Sequence, residues 1–138
     1  MKATKQFNTG VIKFEFRDED GEVFSSFRMN PTDVNLLKRM EEVADYFENR
    51  KFEVPEDVSG EELAAFNKEI EDKINYLLGY DAAKDIFSEI TATTVSSDGD
   101  IFAFVVLESI ADNLKPEMEK RQQSMANAAA KYTAKYGA

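Results

Sequence analysis

The residues of this chain that could carry chemistry are its carboxylates. Three pairs of neighbouring acids have the side chains that general acid–base catalysis uses: Asp18 with Asp20, Glu41 with Glu42, and Glu61 with Glu62. Catalysis needs a carboxyl group whose pKa is shifted by burial in a cleft, whereas these pairs fall in a turn and on polar faces of predicted helices. The pairs therefore predict solvated surface acids and no catalytic site.

Two loops bear a superficial likeness to calcium-binding loops, in which oxygen ligands alternate around a glycine: residues 18–21 and 96–100. Neither loop has its ligands in register. With Gly21 at the sixth position of such a loop, Phe16 would occupy the first ligand position. With Gly99 at the sixth position, Val105 would stand where a bidentate glutamate is needed. Both segments therefore predict turns and helix caps.

Residue types that most enzymes need are missing from the chain. It has no cysteine and no histidine, which excludes thiolate chemistry, the commonest metal ligand and the usual proton shuttle at neutral pH. The six glycines are scattered and form no phosphate-binding loop. The sequence thus predicts a protein that is not an enzyme, with no catalytic, cofactor-binding or metal-binding residues.

Charge divides the chain into two unequal parts. The formal net charge is −10, with 12 basic against 25 acidic residues up to Leu114, net −13, and 5 against 2 from Lys115 onward, net +3. Nucleic acid binding depends on Lys and Arg displacing counterions from phosphates, so the acidic part argues against a nucleic acid partner. The N-terminus lacks the apolar segment of a secretory signal, and the longest apolar run, residues 101–107, is too short to cross a bilayer. We expect a cytoplasmic protein without membrane contact.

The N-terminal third predicts a β-hairpin and then a helix. Ile12, Phe14 and Phe16 alternate with charged residues, residues 18–21 supply turn chemistry, and residues 22–29 read as the returning strand. The first helix is predicted to follow at once and to end near residue 49. Its N-cap is Asn30, its first position is Pro31, and its apolar stripe has three- and four-residue spacing: Val34, Leu37, Met40, Val43 or Ala44, and Phe47.

Two further helices have recognisable ends. Ser59 and Glu62 form a capping box that begins the second helix, and Gly79 is placed to close it. Asp81 is predicted to cap a shorter third helix that runs to about Glu89. The apolar stripe of the second helix is regular: Leu63, Phe66, Ile70, Ile74 and Leu77.

The remaining sequence predicts loops, a buried helix and a polar helix. Residues 50–58 and 91–100 read as loops, the second ending in the N-cap of the next element. Residues 101–107 are too apolar all round for a half-exposed surface helix and predict a central buried segment. A strand is possible from this run alone, but helical spacing continues through residues 109–114 until Lys115-Pro116 breaks it, so a helix is favoured. The fold class is α+β and mainly helical, a two-stranded N-terminal hairpin followed by four to five helices. Residues 1–116 form the body, and residues 117–138 carry the C-terminal helix.

The C-terminal helix has a thin apolar stripe that we predict to bind a partner: Met118, Met125, Tyr132 and Tyr136. Alanines separate these side chains and bury little area, so packing of this helix against its own body would be weak. Met and Tyr suit surfaces that adapt to a partner, and the neighbouring basic residues suit an acidic surface. Packing onto the body and binding of a partner or of a second copy use the same spacing, so the sequence leaves both alternatives open.

Three segments resemble the small tail assembly chaperones that siphophages and prophages of Gram-positive bacteria encode. They are residues 27–33, FRMNPTD, residues 76–87, YLLGYDAAKDIF, and the Ala-, Lys- and Tyr-rich residues 125–136. The resemblance implies a non-enzymatic helper in the cytoplasm of the bacterial host. Such a helper holds the long helical tape measure protein until tail tube subunits polymerise around it.

Two other functions are compatible with the sequence. The chain would serve as a minor tail or connector protein if it stays in the finished virion. Its acidity also suits an inhibitor that mimics nucleic acid and occupies the basic groove of an enzyme, although the acids are spaced like ordinary solvated helix faces. All three functions have a protein partner and no cofactor.

Overall fold

A computed structural model describes residues 1–50 and 59–136, and in these residues the chain forms a β-hairpin followed by four helices. The predicted fold class, α+β and mainly helical with an N-terminal hairpin, is confirmed. Most of the loop predicted at residues 50–58 lies outside the described residues. The elements in chain order are β1 (Ile12–Arg17), β2 (Val23–Met29), α1 (Val34–Arg50), α2 (Gly60–Leu78), α3 (Ala83–Ile86) and α4 (Phe102–Tyr136).

The hairpin forms where the alternating pattern and the turn residues predict it. Strands β1 and β2 are antiparallel, and Phe14 lies opposite Phe27 with the two ring centroids 5.3 Å apart. In the turn, the Asp18 carboxylate accepts hydrogen bonds from the backbone N–H groups of Asp20 and Glu22, at 2.9 and 3.0 Å. These bonds hold the turn closed. Strand β2 begins at Val23, one residue later than predicted.

Ser25 is a polar residue on the apolar face of the hairpin. It is 3% exposed, and its hydroxyl has no hydrogen-bond partner within the described part of the chain. A buried polar group without a partner destabilises a fold by roughly 1–3 kcal/mol. We therefore expect Ser25→Ala to raise the free energy of unfolding by about 1 kcal/mol in urea titrations. Ser26→Ala, one residue further along β2, is the control and should leave the free energy of unfolding nearly unchanged. Equal changes in the two variants would contradict the destabilising effect of the Ser25 hydroxyl.

Helix α1 begins three residues later than the Asn30 and Pro31 signals predict. The Asn30 side-chain oxygen accepts from the backbone N–H of Thr32 at 3.1 Å, and its backbone carbonyl accepts from Asp33 at 3.1 Å, which closes a turn. Asp33 then caps the helix, because its carboxylate accepts from the Asn35 backbone N–H at 3.0 Å. The predicted N-cap is therefore wrong, since Asn30 satisfies a turn of its own.

The buried face of α1 is also rotated from the predicted stripe. Leu36 and Val43 are 2% and 1% exposed, whereas Val34 and Leu37 are 80% and 42% exposed. Phe47, at 9% exposure, completes the observed face. The prediction is thus wrong for Val34 and Leu37, and it missed Leu36. Spacings of seven and four residues place Leu36, Val43 and Phe47 on one side of the helix.

Side chains from α1 bind the C-terminal end of α2. Arg39 donates through Nε to the Leu77 carbonyl at 3.0 Å and through Nη2 to the Asp33 carboxylate at 3.2 Å. The Tyr76 hydroxyl donates to the Glu42 carboxylate, and this hydrogen bond raises the pKa of the Tyr76 phenol. The two helices are therefore joined at polar edges as well as through the apolar core.

Helix α2 has the predicted ends. The Ser59 hydroxyl accepts from the Glu62 backbone N–H at 3.1 Å, as expected for the N-cap of a capping box. Gly79 has φ of 82° and donates its N–H to the Asn75 carbonyl at 2.9 Å, so it closes the helix in the left-handed conformation. The predicted stripe is confirmed over its C-terminal part, where Ile70, Ile74 and Leu77 are buried.

Helix α3 is shorter than predicted, and Asp81 does not cap it. It spans only Ala83–Ile86, and Ala82 occupies the N-cap position without a side-chain hydrogen bond. Asn75 of α2 replaces the expected cap, because its side-chain oxygen accepts from the Ala83 backbone N–H at 2.8 Å. The helix start is thus satisfied by a residue from another element, which local sequence signals do not reveal.

Helix α4 begins at Phe102 and passes through the centre of the core. Its first N–H groups, on Phe102 and Ala103, donate to the carbonyls of Thr94 and Ala92, both at 2.9 Å. Backbone carbonyls of the preceding loop therefore replace the predicted N-cap at Asp100. The Phe102 ring lies against Phe16 and Phe24 of the hairpin and against Phe87 at the end of α3. Further along α4, the core continues through the buried residues Val106, Ile110 and Leu114.

The predicted helix break at Lys115-Pro116 is wrong. Helix α4 runs without interruption from Phe102 to Tyr136, 35 residues, with Pro116 inside it. The predicted boundary between residues 116 and 117 therefore falls within one helix. Pro116 is exposed, as is Asp112, whose carbonyl loses its usual helix partner because proline has no N–H. Water can reach this side of the helix, which makes the proline tolerable there.

Candidate partner-binding surface

The face of α4 that packs on the body continues past the end of the body. Ile110 and Leu114 on this face are 0% and 2% exposed, and Met118 is partly buried against the same core. Beyond Arg121, every described side chain of α4 is exposed. Residues 119–136 of α4 form the projecting helix, which is about 27 Å long at a rise of 1.5 Å per residue.

Three predicted partner-binding residues lie along one line of α4: Met118, Met125 and Tyr132. They are spaced by seven residues, which make almost two helical turns. Met125 and Tyr132 are 68% and 67% exposed, so packing of the stripe onto its own body is wrong for these two and holds only for Met118. Tyr136 is the last residue of α4, and its side chain lies outside the description. Binding of a partner stays a prediction for all four.

Basic residues flank this apolar line on one side. Arg121 and Lys135 are 14 residues apart, about four helical turns, and Lys131 lies one turn before Lys135, so the three lie along one flank. The sequence contains no acidic residue after Glu119. The projecting helix therefore presents an apolar line with a positive flank, on a chain whose body is strongly negative.

An N-terminal segment reaches the base of the projecting helix, and the sequence did not predict this contact. Residues 1–11, the arm, precede β1 without regular secondary structure, and Phe7 in the arm is 80% exposed. Gly10 has φ of 71° and packs under the guanidinium of Arg121, where a Cβ atom would overlap it. The arm and Arg121 border a shallow depression of about 440 Å³. An exposed aromatic ring thus lies near the start of the exposed apolar line.

Arg121 is held in place by its own helix. Its Nε atom donates to the Glu117 carboxylate at 3.0 Å, and the two side chains are 25% and 27% exposed. Asn8 and Thr9 of the arm accept hydrogen bonds from the backbone N–H groups of Gly10 and Val11, at 3.1 and 3.4 Å. The short backbone turn at Gly10 therefore rests on an oriented guanidinium group.

An acidic cleft lies at the other end of the hairpin, beside its turn. It is an open depression of about 690 Å³ between the turn and the loop after α3. Its apolar floor is small, and its rim carries four acids and one base: Val23, Phe24 and Ile90 form the floor, and Asp18, Glu19, Glu22, Glu89 and Arg17 form the rim. Because Gly10 adjoins the open end of the hairpin, the cleft and the arm lie at opposite ends of β1.

The carboxylates considered for catalysis lie at the surface. All six members of the three acid pairs are exposed. The loop at residues 96–100 is a hydrogen-bonded turn, in which the Ser96 hydroxyl accepts from the backbone N–H groups of Asp98 and Asp100 at 3.2 and 3.1 Å. Over residues 1–50 and 59–136, no group of three or more acidic side chains is arranged to hold a metal ion.

Comparison with known proteins gives no family assignment. No protein family matches the chain, and neither a curated protein nor a solved structure is significantly similar to it. The resemblance to tail assembly chaperones therefore stays a prediction that rests on the three sequence segments. No helix within the described ranges is long and apolar enough to span a membrane.

Proposed function

We propose that this chain is a non-enzymatic tail assembly chaperone, which binds the tape measure protein of a siphophage or prophage in the cytoplasm of the bacterial host. The observation that carries the proposal is the exposed apolar line on the projecting helix. Met125 and Tyr132 are about two-thirds exposed on a helix whose same face is buried along the body. A face of this kind is typical of helices that bind another helix in a groove or a bundle.

The charge of the body supports a chaperone role. A tape measure protein is long and helical, and its apolar faces would aggregate while they wait for the tail tube. A bound partner that covers these faces and adds negative charge keeps the complex soluble. The acidic body, net −13 up to Leu114, supplies that charge, and the less charged projecting helix supplies the contact.

Co-expression tests this function directly. The tape measure protein encoded by the same prophage should become soluble and co-purify when it is produced together with this chain, and should aggregate when it is produced alone. Met125→Glu with Tyr132→Glu should abolish the co-purification, because two charges would enter the apolar interface. A tape measure protein that stays insoluble and unbound with the wild-type chain would refute the proposal.

A matched control lies on the opposite face of the same helix. Asn127→Glu with Ala134→Glu adds the same two charges at the same seven-residue spacing, also at exposed positions. This control should retain the tape measure protein. If both double variants retain it, the apolar line is not the interface. Mass spectrometry of purified virions separates a chaperone, absent from particles, from a minor tail or connector protein that remains in them.

A further inference from the structure

We propose that the arm and the projecting helix together form one docking surface, and that its occupant is an amphipathic helix whose apolar face is flanked by acidic residues. This inference deepens the proposed function, because it names the chemistry of the partner segment. It rests on three observations: the spacing of the exposed apolar residues, the charge beside them, and the contact between the arm and Arg121.

The spacing indicates that the occupant is a helix. Large side chains at Met118, Met125 and Tyr132 recur every seven residues, and the residues between them on the same side include the small Ala129. A seven-residue repeat of apolar side chains is the pattern by which two helices pack with interlocking side chains. Small residues between the large ones permit close approach of the two helix axes, near 8 Å.

The charge indicates that the occupant is acidic beside its apolar face. Arg121, Lys131 and Lys135 share one flank of the projecting helix, and no acidic residue follows Glu119 in the sequence. The arm adds Lys2 and Lys5, which are exposed. Complementary charges along the flanks of paired helices determine which partner and which orientation are favoured.

The arm extends the surface beyond the helix. Gly10 packs under the Arg121 guanidinium, which positions the arm at the point where the body ends and the projecting helix begins. Phe7 and Arg121 border the same depression, so an occupant that follows the apolar line from Tyr132 toward Met118 would meet the Phe7 ring. The aromatic ring at this junction would anchor the end of the bound helix.

The acidic cleft of a second copy is a poorer occupant. Its apolar floor consists of Val23, Phe24 and Ile90, which is too short to cover an apolar line that extends over the roughly 27 Å of the projecting helix. Each copy also carries a net charge of −10, which opposes association of identical chains. Self-association through this surface is therefore an outcome that would contradict the proposal.

Synthetic helical peptides test the proposal on the full-length chain. Three 18-residue peptides share an apolar heptad face and differ only in their flanking residues, which are all Glu, all Gln or all Lys. Fluorescence anisotropy in about 0.15 M salt, where charges beyond about 8 Å are screened, should show the Glu peptide binding about tenfold more tightly than the Lys peptide. Equal affinities, or tighter binding of the Lys peptide, would overturn the proposal.

Charge reversal on the projecting helix should reverse this preference. Lys131→Glu with Lys135→Glu is expected to favour the Lys peptide, while Lys38→Glu with Lys84→Glu makes the same charge change at exposed positions on the body and should leave the preference unchanged. Sedimentation of the peptide-free chain accompanies the titration. A wild-type dimer that Met125→Glu with Tyr132→Glu dissociates would identify a second copy as the occupant and contradict the proposal.

The contribution of the arm has its own matched pair of variants. Gly10 and Gly21 both have positive φ, 71° and 80°, so alanine is strained at either position, but only at Gly10 does the new Cβ overlap another side chain. Gly10→Ala should weaken Glu-peptide binding several-fold because the new Cβ forces the Arg121 guanidinium and the arm apart, and Gly21→Ala should not. If the two variants bound the Glu peptide equally well, the arm would not be part of the docking surface. If the wild-type chain bound the Glu and Lys peptides equally but still co-purified with the tape measure protein, the docking-surface proposal would be overturned and the proposed chaperone function would stand.

Discussion

Replacing Leu36 by alanine is expected to lower the free energy of unfolding by about 2–5 kcal/mol. Leu36 is 2% exposed and belongs to the core that α1 shares with the hairpin, α2 and α4. Truncation removes buried methyl groups and leaves a cavity that the surrounding side chains fill only in part. A loss of this size is a large fraction of the 5–15 kcal/mol that typically stabilises a small domain.

The neighbouring residue provides the control for this experiment. Leu37→Ala makes the same chemical change one position along α1, where the side chain is 42% exposed, and should lower stability by less than about 1 kcal/mol. Urea unfolding followed by circular dichroism measures both variants. If the two losses are equal, or if Leu37→Ala is the more damaging, α1 packs in the register that the sequence spacing predicted and not in the observed one.

The elements that were predicted well have local causes. The hairpin turn and both ends of α2 depend on residues that hydrogen-bond within a few positions of themselves, such as Asp18, Ser59 and Gly79. These three interactions need no partner from another element, so the local sequence is sufficient to predict them. The apolar stripe of α2 was equally readable, because most of the large aliphatic residues of that helix lie on one side.

The elements that were predicted poorly depend on distant partners. In α1, Val34 and Leu37 have helical spacing as good as that of Leu36, and the choice between the two faces depends on contacts such as the Arg39 bond to the Leu77 carbonyl. The start of α3 is capped by Asn75 from α2. Neither contact leaves a signal in the local sequence, so spacing alone could not decide these positions.

The sequence predicts one part of the candidate surface, the apolar line, and does not predict the other part, the arm. The apolar line through Met125 and Tyr132 follows from its seven-residue spacing, but its exposure depends on where the body ends, which is a property of the tertiary structure. The arm was missed because Gly10 and Arg121 meet from opposite ends of the chain. The Asn8-Thr9-Gly10 run is typical of a turn and was the one available hint that the chain changes direction there.

Replacing Pro116 by alanine is expected to raise the free energy of unfolding by about 2 kcal/mol. Proline inside a helix is about 3 kcal/mol less favourable than alanine, and the loss of its rigid ring from the unfolded chain returns up to about 1 kcal/mol of that gain. The new N–H would bond to the Asp112 carbonyl and join the two halves of α4 more firmly. Lys115→Ala, at the adjacent exposed position, is the control and should change stability by less than about 0.5 kcal/mol.

The sign of the Pro116→Ala effect distinguishes the observed helix from the predicted one. If the chain broke at Lys115-Pro116, Pro116 would occupy the first turn of a new helix, where proline is favoured, and alanine would be neutral or destabilising. A stabilised variant would therefore support a single α4 that carries the buried face of Leu114 into the exposed line at Met125. A destabilised variant would instead indicate that the helix breaks at Lys115-Pro116. The projecting helix would then be a hinged segment that reaches its partner without a fixed direction.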